Sequence, residues 1–406
     1  MTRRHVKTAV HSQQDRRRDE HQHAAASVID DEDNYSDLSV DNEEDGDPQL
    51  TSGTSSTVKS LPSELILVIL DMAAPPGCVS KQQTRQRYNW LLSTSFVSRQ
   101  FCQPSQALLY SSITIHNATT ANRWLSSPLL GLYATRQLDL VGVHSGTGLS
   151  GTTAMRIINK AVGIRWLRLS DFKRLSSKCL ASDSLRYLDT LIIQTSFPDK
   201  DTVIEMITFP FRLKTLSVFN RAYSPLLLSK LLEASQGCLT TLELSMNHSS
   251  IAYEGLLQGF ENVASSLERL LLHHKPSNEF MTLLHLCGRR LTQVQCHHSI
   301  DVGQLLDSLN QDEVRIRSLQ VGTDFNTVET LTLLGRRMFD SGSASSKVLE
   351  ELQRLRIMGI GEYELYMMGQ RKFVEQVQDR GIKLELEGGP VSSDWVVQMS
   401  RSTLGQ

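Results

Sequence analysis

The stretch "LDLVGVHSGTGLSGTTAM", Leu138 to Met155, carries the spacing that most resembles a cofactor site. Gly146, Gly148 and Gly151 spell G-x-G-x-x-G between a strand-like run and a helix-like one, and Asp171 follows Gly151 by twenty residues. In a dinucleotide site such glycines let the backbone approach a pyrophosphate while the carboxylate holds the ribose. A second constellation is a pair of histidine doublets, "LLLHHKP" and "VQCHHSI". His273 and His297 hold equivalent places in their segments, as do His274 and His298, so neighbouring imidazoles could share a metal or sense pH. What these residues can do depends on the elements that position them.

Those elements repeat. An apolar residue, two others, Leu or Val, one other and an apolar residue recur as "IRWLRL", "LDTLII", "LKTLSV", "LTTLEL", "LERLLL", "LTQVQC", "IRSLQV" and "LQRLRI", with looser copies "TRQLDL" and "IKLEL" at the two ends. The central anchors are Leu138, Leu167, Leu191, Leu216, Leu242, Leu270, Val294, Leu319, Leu355 and Leu384, separated by 24 to 36 residues. Between them lie segments such as "SPLLLSKLLEASQGC", "AYEGLLQGFENVASS" and "DVGQLLDSLNQDEV", with apolar residues at helical spacing. A strand plus a helix every ~25 residues is the leucine-rich-repeat pattern, in which stacking buries the face that each unit leaves uncovered. The fold class expected is therefore α/β, a leucine-rich-repeat solenoid over residues 116–388. The longest gap contains "DSGSASSK", which reads as an inserted surface loop.

This architecture argues against the dinucleotide reading. Leu138 and Leu167 are both anchors, so the glycines belong to the return path of one repeat. Gly142, His144 and Ser145 also interrupt a run that a buried parallel strand would keep apolar. The same alternation assigns the faces. The anchor and the residue two beyond it point inward, while the residues one before, one after and three after face the open side of the sheet. That open row holds Trp166, Arg168, Phe219, Glu243, Arg269, Leu271, His273, Gln293, Gln295, His297, Arg354 and Arg356. Aromatics and arginines carry most interface energy, which makes this row the expected binding face for a substrate. Cys296 points inward and no carboxylate or thiolate joins the histidine doublets, so they read as polar surface residues; no metal and no cofactor are expected.

A net charge of -2 over 406 residues provides no global basic field for nucleic acid or an anionic membrane surface. No apolar run approaches the ~20 residues that span a bilayer. The first residues lack the apolar core of a signal peptide, and six scattered cysteines without a C-x-x-C pair read as reduced thiols. A cytoplasmic or nuclear location is expected. Residues 1–58 run from arginines (Arg3, Arg4, Arg16, Arg17, Arg18) to the acidic block "DDEDNYSDLSVDNEEDGD", a composition expected to stay disordered. Residues 389–406 are taken as a C-terminal cap or tail.

Composition changes abruptly at "SLPSELILVILDMAAPP". Pro62 suits the first helical position, Glu64 complements the positive helix end, and Pro75 and Pro76 stop the helix. Leu65, Ile66, Leu67, Val68, Ile69, Leu70 and Met72 leave no polar face on it, so it must be covered on both sides. The small unit it opens, residues 59–115, has "LLSTSFVSRQF" and "ALLYSSI" to cover one side only. A partner protein is the natural cover for the other. The segment "APPGCVSKQQTRQRYN" reads as a long connection to the next helix.

Taken together, "LPSELILVILDMA" and "LLSTSFVSRQFCQPSQALLYSSITI" resemble the F-box, in a form common among fungal proteins, and the repeats behind them complete a resemblance to F-box/leucine-rich-repeat proteins. The matching positions are Leu61, Pro62, Glu64, Leu65, Ile69, Leu70, Leu91, Leu92, Val97, Ser98, Arg99, Phe101, Leu108, Leu109 and Tyr110. The resemblance implies a small all-α F-box ahead of the solenoid, and a non-catalytic adaptor role in an SCF-type cullin ubiquitin ligase. The F-box would dock on the Skp-type linker and through it a cullin, while the repeats hold a protein substrate. Leu61, Pro62, Leu65, Ile69, Leu92, Val97 and Phe101 are the residues it implies for module core and linker contact. Two other readings are an interaction scaffold outside ubiquitination and an enzyme using Gly146, Gly148 and Gly151.

Overall fold

A computed structural model describes residues 61–75, 81–142, 148–219, 224–245, 254–273, 280–281, 284–296, 301–322, 327–339, 347–361, 365 and 368–387. Outside them lie the basic and acidic N-terminal segment, Gly146, His144 and Ser145, the histidines His274, His297 and His298, the inserted stretch Asp340–Ser346 and residues 389–406.

Among the described residues three helices come first: α1 (Ser63–Ala73), α2 (Lys81–Ser95) and α3 (Arg99–Ser111). Pro62 stands just outside α1 as its N-cap, one residue earlier than the sequence suggested, and its carbonyl accepts from the amides of Leu65 and Ile66. What reads as a long connection is largely α2, because "KQQTRQRYNW" has the unbranched side chains that favour helix even without an apolar face. Ile66, Leu70, Ala74, Leu91 and Leu108 form the small core of this module, with Leu67, Trp90, Phe101 and Leu109 packed against it. Arg87 ties the end of α1 to α2, pairing with Asp71 at 2.5 Å and donating to the Pro75 carbonyl at 3.1 Å.

Eleven strands follow among the described residues: β1 (Ser112–Ile115), β2 (Gln137–Val141), β3 (Trp166–Ser170), β4 (Thr190–Gln194), β5 (Thr215–Val218), β6 (Thr241–Leu244), β7 (Arg269–Leu272), β8 (Gln293–Cys296), β9 (Ser318–Gly322), β10 (Arg354–Met358) and β11 (Lys383–Glu387). They make one parallel sheet in which every strand pairs with its neighbours in sequence order. All ten sequence anchors stand in a single register row from Leu138 to Leu384. The strand missing from the sequence reading is β1. Ser112–Ile115, which the sequence placed at the end of the helical module, pairs with β2, Ile113 standing opposite Leu138.

The return paths contain α4 (Ala118–Ser126), α5 (Gly151–Lys160), α6 (Asp201–Glu205), α7 (Pro225–Ala234), α8 (Glu254–Ala264), α9 (Val302–Ser308), α10 (Thr327–Phe339) and α11 (Arg371–Asp379). The expectation of a helix in every repeat fails between β3 and β4, whose anchors stand only 24 residues apart. There the chain returns through 3-10 turns at Ser177–Ala181 and Asp183–Leu185, whereas the equally short return between β7 and β8 has helical residues at Phe280 and Met281 ahead of the 3-10 turn Leu284–Leu286. A 3-10 turn rises ~2.0 Å per residue against ~1.5 Å for an α-helix, so it crosses the same distance with fewer residues. Side-chain caps fix where the helices begin: Asn117, Ser150, Ser224 and Asp301 each accept from an amide in the first turn.

Helical module and sheet meet without a linker, since α3 ends at Ser111 and β1 begins at Ser112. Tyr110 packs its ring 5.8 Å from that of Tyr133 and shares a 2.5 Å hydrogen bond with Ser127, while the Tyr133 hydroxyl donates to Gln106 at 3.1 Å.

Candidate binding surfaces

At about 100° per residue, Ile66, Leu70 and Leu67 of α1 fall on the side that packs into the module core. Leu65, Val68, Ile69 and Met72, with Leu61 just ahead of them, fall in a stripe roughly 100° wide on another side. Each of these five is at least half-exposed, from 50% at Ile69 to 83% at Met72. Glu64 and Asp71 lie between the two faces, also exposed. At the end of α2 and in the turn beyond it, Leu92, Phe96 and Val97 are exposed as well, Phe96 to 80%. Nine of the fourteen exposed large apolar side chains among the described residues fall between Leu61 and Val97, a concentration that isolated surface leucines do not explain.

The residues the resemblance singles out divide accordingly. Leu61, Pro62, Leu65, Ile69, Leu92 and Val97 are exposed, whereas Phe101 turns toward the module core. Val68, Met72 and Phe96 were not singled out. Their signal was the all-apolar helix itself, which does not say which side its own module covers.

The second surface is the open side of the sheet. Parallel sheets are ordinarily covered on both faces. Here the anchors from Leu138 to Leu355 and the residues two beyond them are buried, while the residues between them are half-buried, apart from the buried Ser217. Trp166, Arg168, Phe219, Glu243, His273 and Arg356 are half-buried, and Arg269 and Arg354 exposed. Stacking brings several of them together. Glu243 on β6 bridges three strands, accepting from Ser217 of β5 at 2.7 Å and meeting His273 Nε2, just beyond β7, at 2.7 Å. The Phe219 ring lies 5.3 Å from the His273 ring. Burial would raise the Glu243 carboxyl, but the hydrogen bonds from His273 and Ser217 outweigh it and hold the group below its ordinary value.

Nearer the helical module, Arg168 Nε donates to Asp139 Oδ1 at 3.0 Å, directly across from it on the neighbouring strand. The balance tips the other way: burial raises the Asp139 carboxyl, and Arg168 and His116 only partly oppose it. At the far end Glu385 pairs with Arg354 at 3.7 Å and Lys383 at 2.7 Å. The row thus carries an aromatic at Trp166, a charge pair, an aromatic–imidazole–carboxylate cluster and a cationic end, all on neighbouring parallel strands ~4.8 Å apart.

The glycine motif has a packing account. A Cβ at Gly151 would stand 2.1 Å from the carbonyl oxygen of Arg174, and one at Gly142 2.8 Å from both Asp171 O and Phe172 Cα, so these glycines admit the backbone of the next repeat. Asp171 adopts a left-handed φ of 58°, a conformation for which Asp is among the better non-glycine residues. The sheet order has no reversal, and such a reversal is where open α/β sheets bind dinucleotides. Of the histidines weighed as a metal or pH site only His273 is described, and its ring is engaged by Glu243. Among the described residues no helix is long and apolar enough to cross a membrane.

No protein-family model matches the chain, and no curated protein matches it.

Proposed function

We propose that this chain is the substrate-recognition adaptor of an SCF-type cullin ubiquitin ligase, an F-box module followed by a leucine-rich-repeat solenoid. The observation that carries the reading is the second apolar stripe of α1, with Leu61, Leu65, Val68, Ile69 and Met72 half-exposed or more on a helix whose other side is already packed. Burying such a stripe stabilises a complex by about 25 cal/mol per Å2 removed from water before association costs, which suits a linker protein of complementary apolar surface. Residues 59–115 of the resemblance supply the docking side and the repeats the substrate side. Trp166, Arg168, Phe219, Glu243 and His273 are the substrate-facing candidates nearest the centre of the described row.

The chain contributes position rather than covalent chemistry. Held beside a charged conjugating enzyme, a substrate lysine reacts at an effective concentration set by geometry instead of by its bulk concentration. The junction supports this role. With α3 running straight into β1 and Tyr110 and Tyr133 packed across it, the docking stripe and the sheet face keep a fixed separation.

Co-purification of the full chain with the Skp-type linker tests the proposal. Wild type retains the linker, and Leu65→Asp with Ile69→Asp loses it while keeping the wild-type circular dichroism, because both side chains are half outside the module core. Failure of the wild type to retain the linker overturns the adaptor reading and leaves an interaction scaffold. Equal retention by the double variant overturns the assignment of the stripe.

A further inference from the structure

We infer that the edge of the sheet from which β3, β4 and β5 start is a second binding site, for an acidic extended peptide segment. It is separate from the sheet face and does not depend on the ubiquitin reading. A cleft of about 1170 Å3 opens there, its wall built from the loops that enter three successive strands and from the end of α7. Arg165, Asp189 and Lys214 immediately precede the three strands and are stacked by backbone hydrogen bonds, Asp189 N to Arg165 O at 2.8 Å and Lys214 N to Asp189 O at 2.7 Å.

Five cations line the cleft against two carboxylates, Asp189 and Glu233. Asp189 is already engaged by Lys214 at 3.6 Å, and Lys230 is turned to the carbonyls of Ile204, Glu205 and Ile207 at the end of α6. That leaves Arg165, Arg186 and Arg212, all exposed and with no carboxylate partner among the described residues. Arg186 is held over the Tyr187 ring at 4.8 Å, which orients the guanidinium without neutralising it. Guanidinium forks match carboxylates in bidentate geometry. Three neighbouring strands span roughly 10 Å, the length of about three residues of extended chain, so a short acidic run can meet all three arginines.

The apolar side chains at the cleft favour a peptide over a polynucleotide. Tyr187 is 54% exposed at the cleft, and Met206, next to the lining residue Ile207, is 85% exposed. Phe209 and Phe211 stack at 5.4 Å to make a rigid wall. Such a lining accepts apolar side chains interspersed with the acidic ones.

The test is fluorescence anisotropy of a fluorescein-labelled peptide rich in glutamate and tyrosine, titrated with the full chain. It is run in parallel with a full chain whose Asp and Glu residues between Asp30 and Asp47 are replaced by amides, so that its own acidic block cannot compete. Binding is expected in at least the amide form. It weakens at least about tenfold in Arg165→Glu/Arg186→Glu/Arg212→Glu, three exposed ion pairs contributing a few-fold each. It also weakens as salt rises from about 0.1 M to about 1 M, which shortens the screening length from roughly 10 to roughly 3 Å. The matched variant Arg123→Glu/Arg336→Glu/Lys372→Glu, changed at exposed positions elsewhere, binds as wild type does. Absence of binding by both parent forms, equal loss in the matched variant, full binding by the cleft variant, or tighter binding of a DNA oligonucleotide of similar length overturns the inference.

Discussion

Glu243 and Asp139 are two half-buried carboxylates on one sheet face, and the balance of forces resolves differently at each. At Asp139 burial prevails over the opposing pull of Arg168 and His116, so its carboxyl is raised. Glu243 receives two short hydrogen bonds, from His273 and Ser217, and these prevail over burial. The consequence for stability follows from the sign. A carboxyl whose folded value lies below its unfolded one stabilises the fold above the unfolded value and loses that contribution as pH falls through the folded one. Glu243→Gln, which keeps the shape but not the charge, should cost about 1–2 kcal/mol near neutral pH, the worth of charge-assisted hydrogen bonds over neutral ones. Below the ordinary glutamate value of 4.5 the wild-type carboxyl takes up its proton and the two proteins converge. Urea unfolding at neutral pH and near pH ~3 measures this, where model carboxyls are mostly protonated; a difference that persists undiminished in acid would show that the charge is not its source. The alternation of the sequence placed Glu243 and His273 on the open face. It could not show that they touch, because their contact depends on the register between strands that lie thirty residues apart.

At the scale of elements, legibility tracked the strength of the repeating signal. Ten strands were readable because a Leu or Val anchor, with a second apolar residue two positions on, recurs at a near-constant distance. β1 was not, since "SITI" offers isoleucines at both inward positions and no leucine anchor, directly after a helix. The 3-10 return between β3 and β4 was hidden for a related reason: Cys179, Leu180 and Leu185 bury as helix residues would. The apolar excess of α1 was visible, but not its division between a packed and an open side. That division gives a prediction. Ile66→Ala removes a side chain 3% exposed and should destabilise the helical module by about 2–4 kcal/mol through lost burial and the cavity left behind. Val68→Ser, at a position 51% exposed, should stay within about 0.5 kcal/mol while reducing self-association. Thermal melts and light scattering of the two variants distinguish the faces. Comparable destabilisation by both would mean that the stripe packs within the chain.

For the whole molecule, stacking makes stability a matter of neighbours. In a one-dimensional array each repeat is held by its own packing and by the two interfaces it shares, so an end repeat lacks one interface. The two ends of this sheet are finished differently. At the first, Ile115 is wholly buried and Tyr110 and Ile113 pack on the main core, with α3 covalently continuous into β1. The helical module therefore acts as a cap on the array. At the last described strand, Leu384 and Leu386 occupy the positions that are buried in β2 to β10 but are themselves only half-buried. Two leucines left half-exposed forgo roughly 1 kcal/mol apiece relative to full burial, enough to raise the local opening population about five-fold each. Hydrogen exchange should read this asymmetry directly. Amides of Lys383–Leu386 exchange first, protection rises toward β4 to β8, and Ser112–Ile115 stay protected despite standing at the edge of the sheet. Deleting the cap's packing with Ile66→Ala should erase the protection at β1 and leave β11 unchanged. Equal exchange at the two ends of the wild-type sheet would mean that the helical module lends the array no stability.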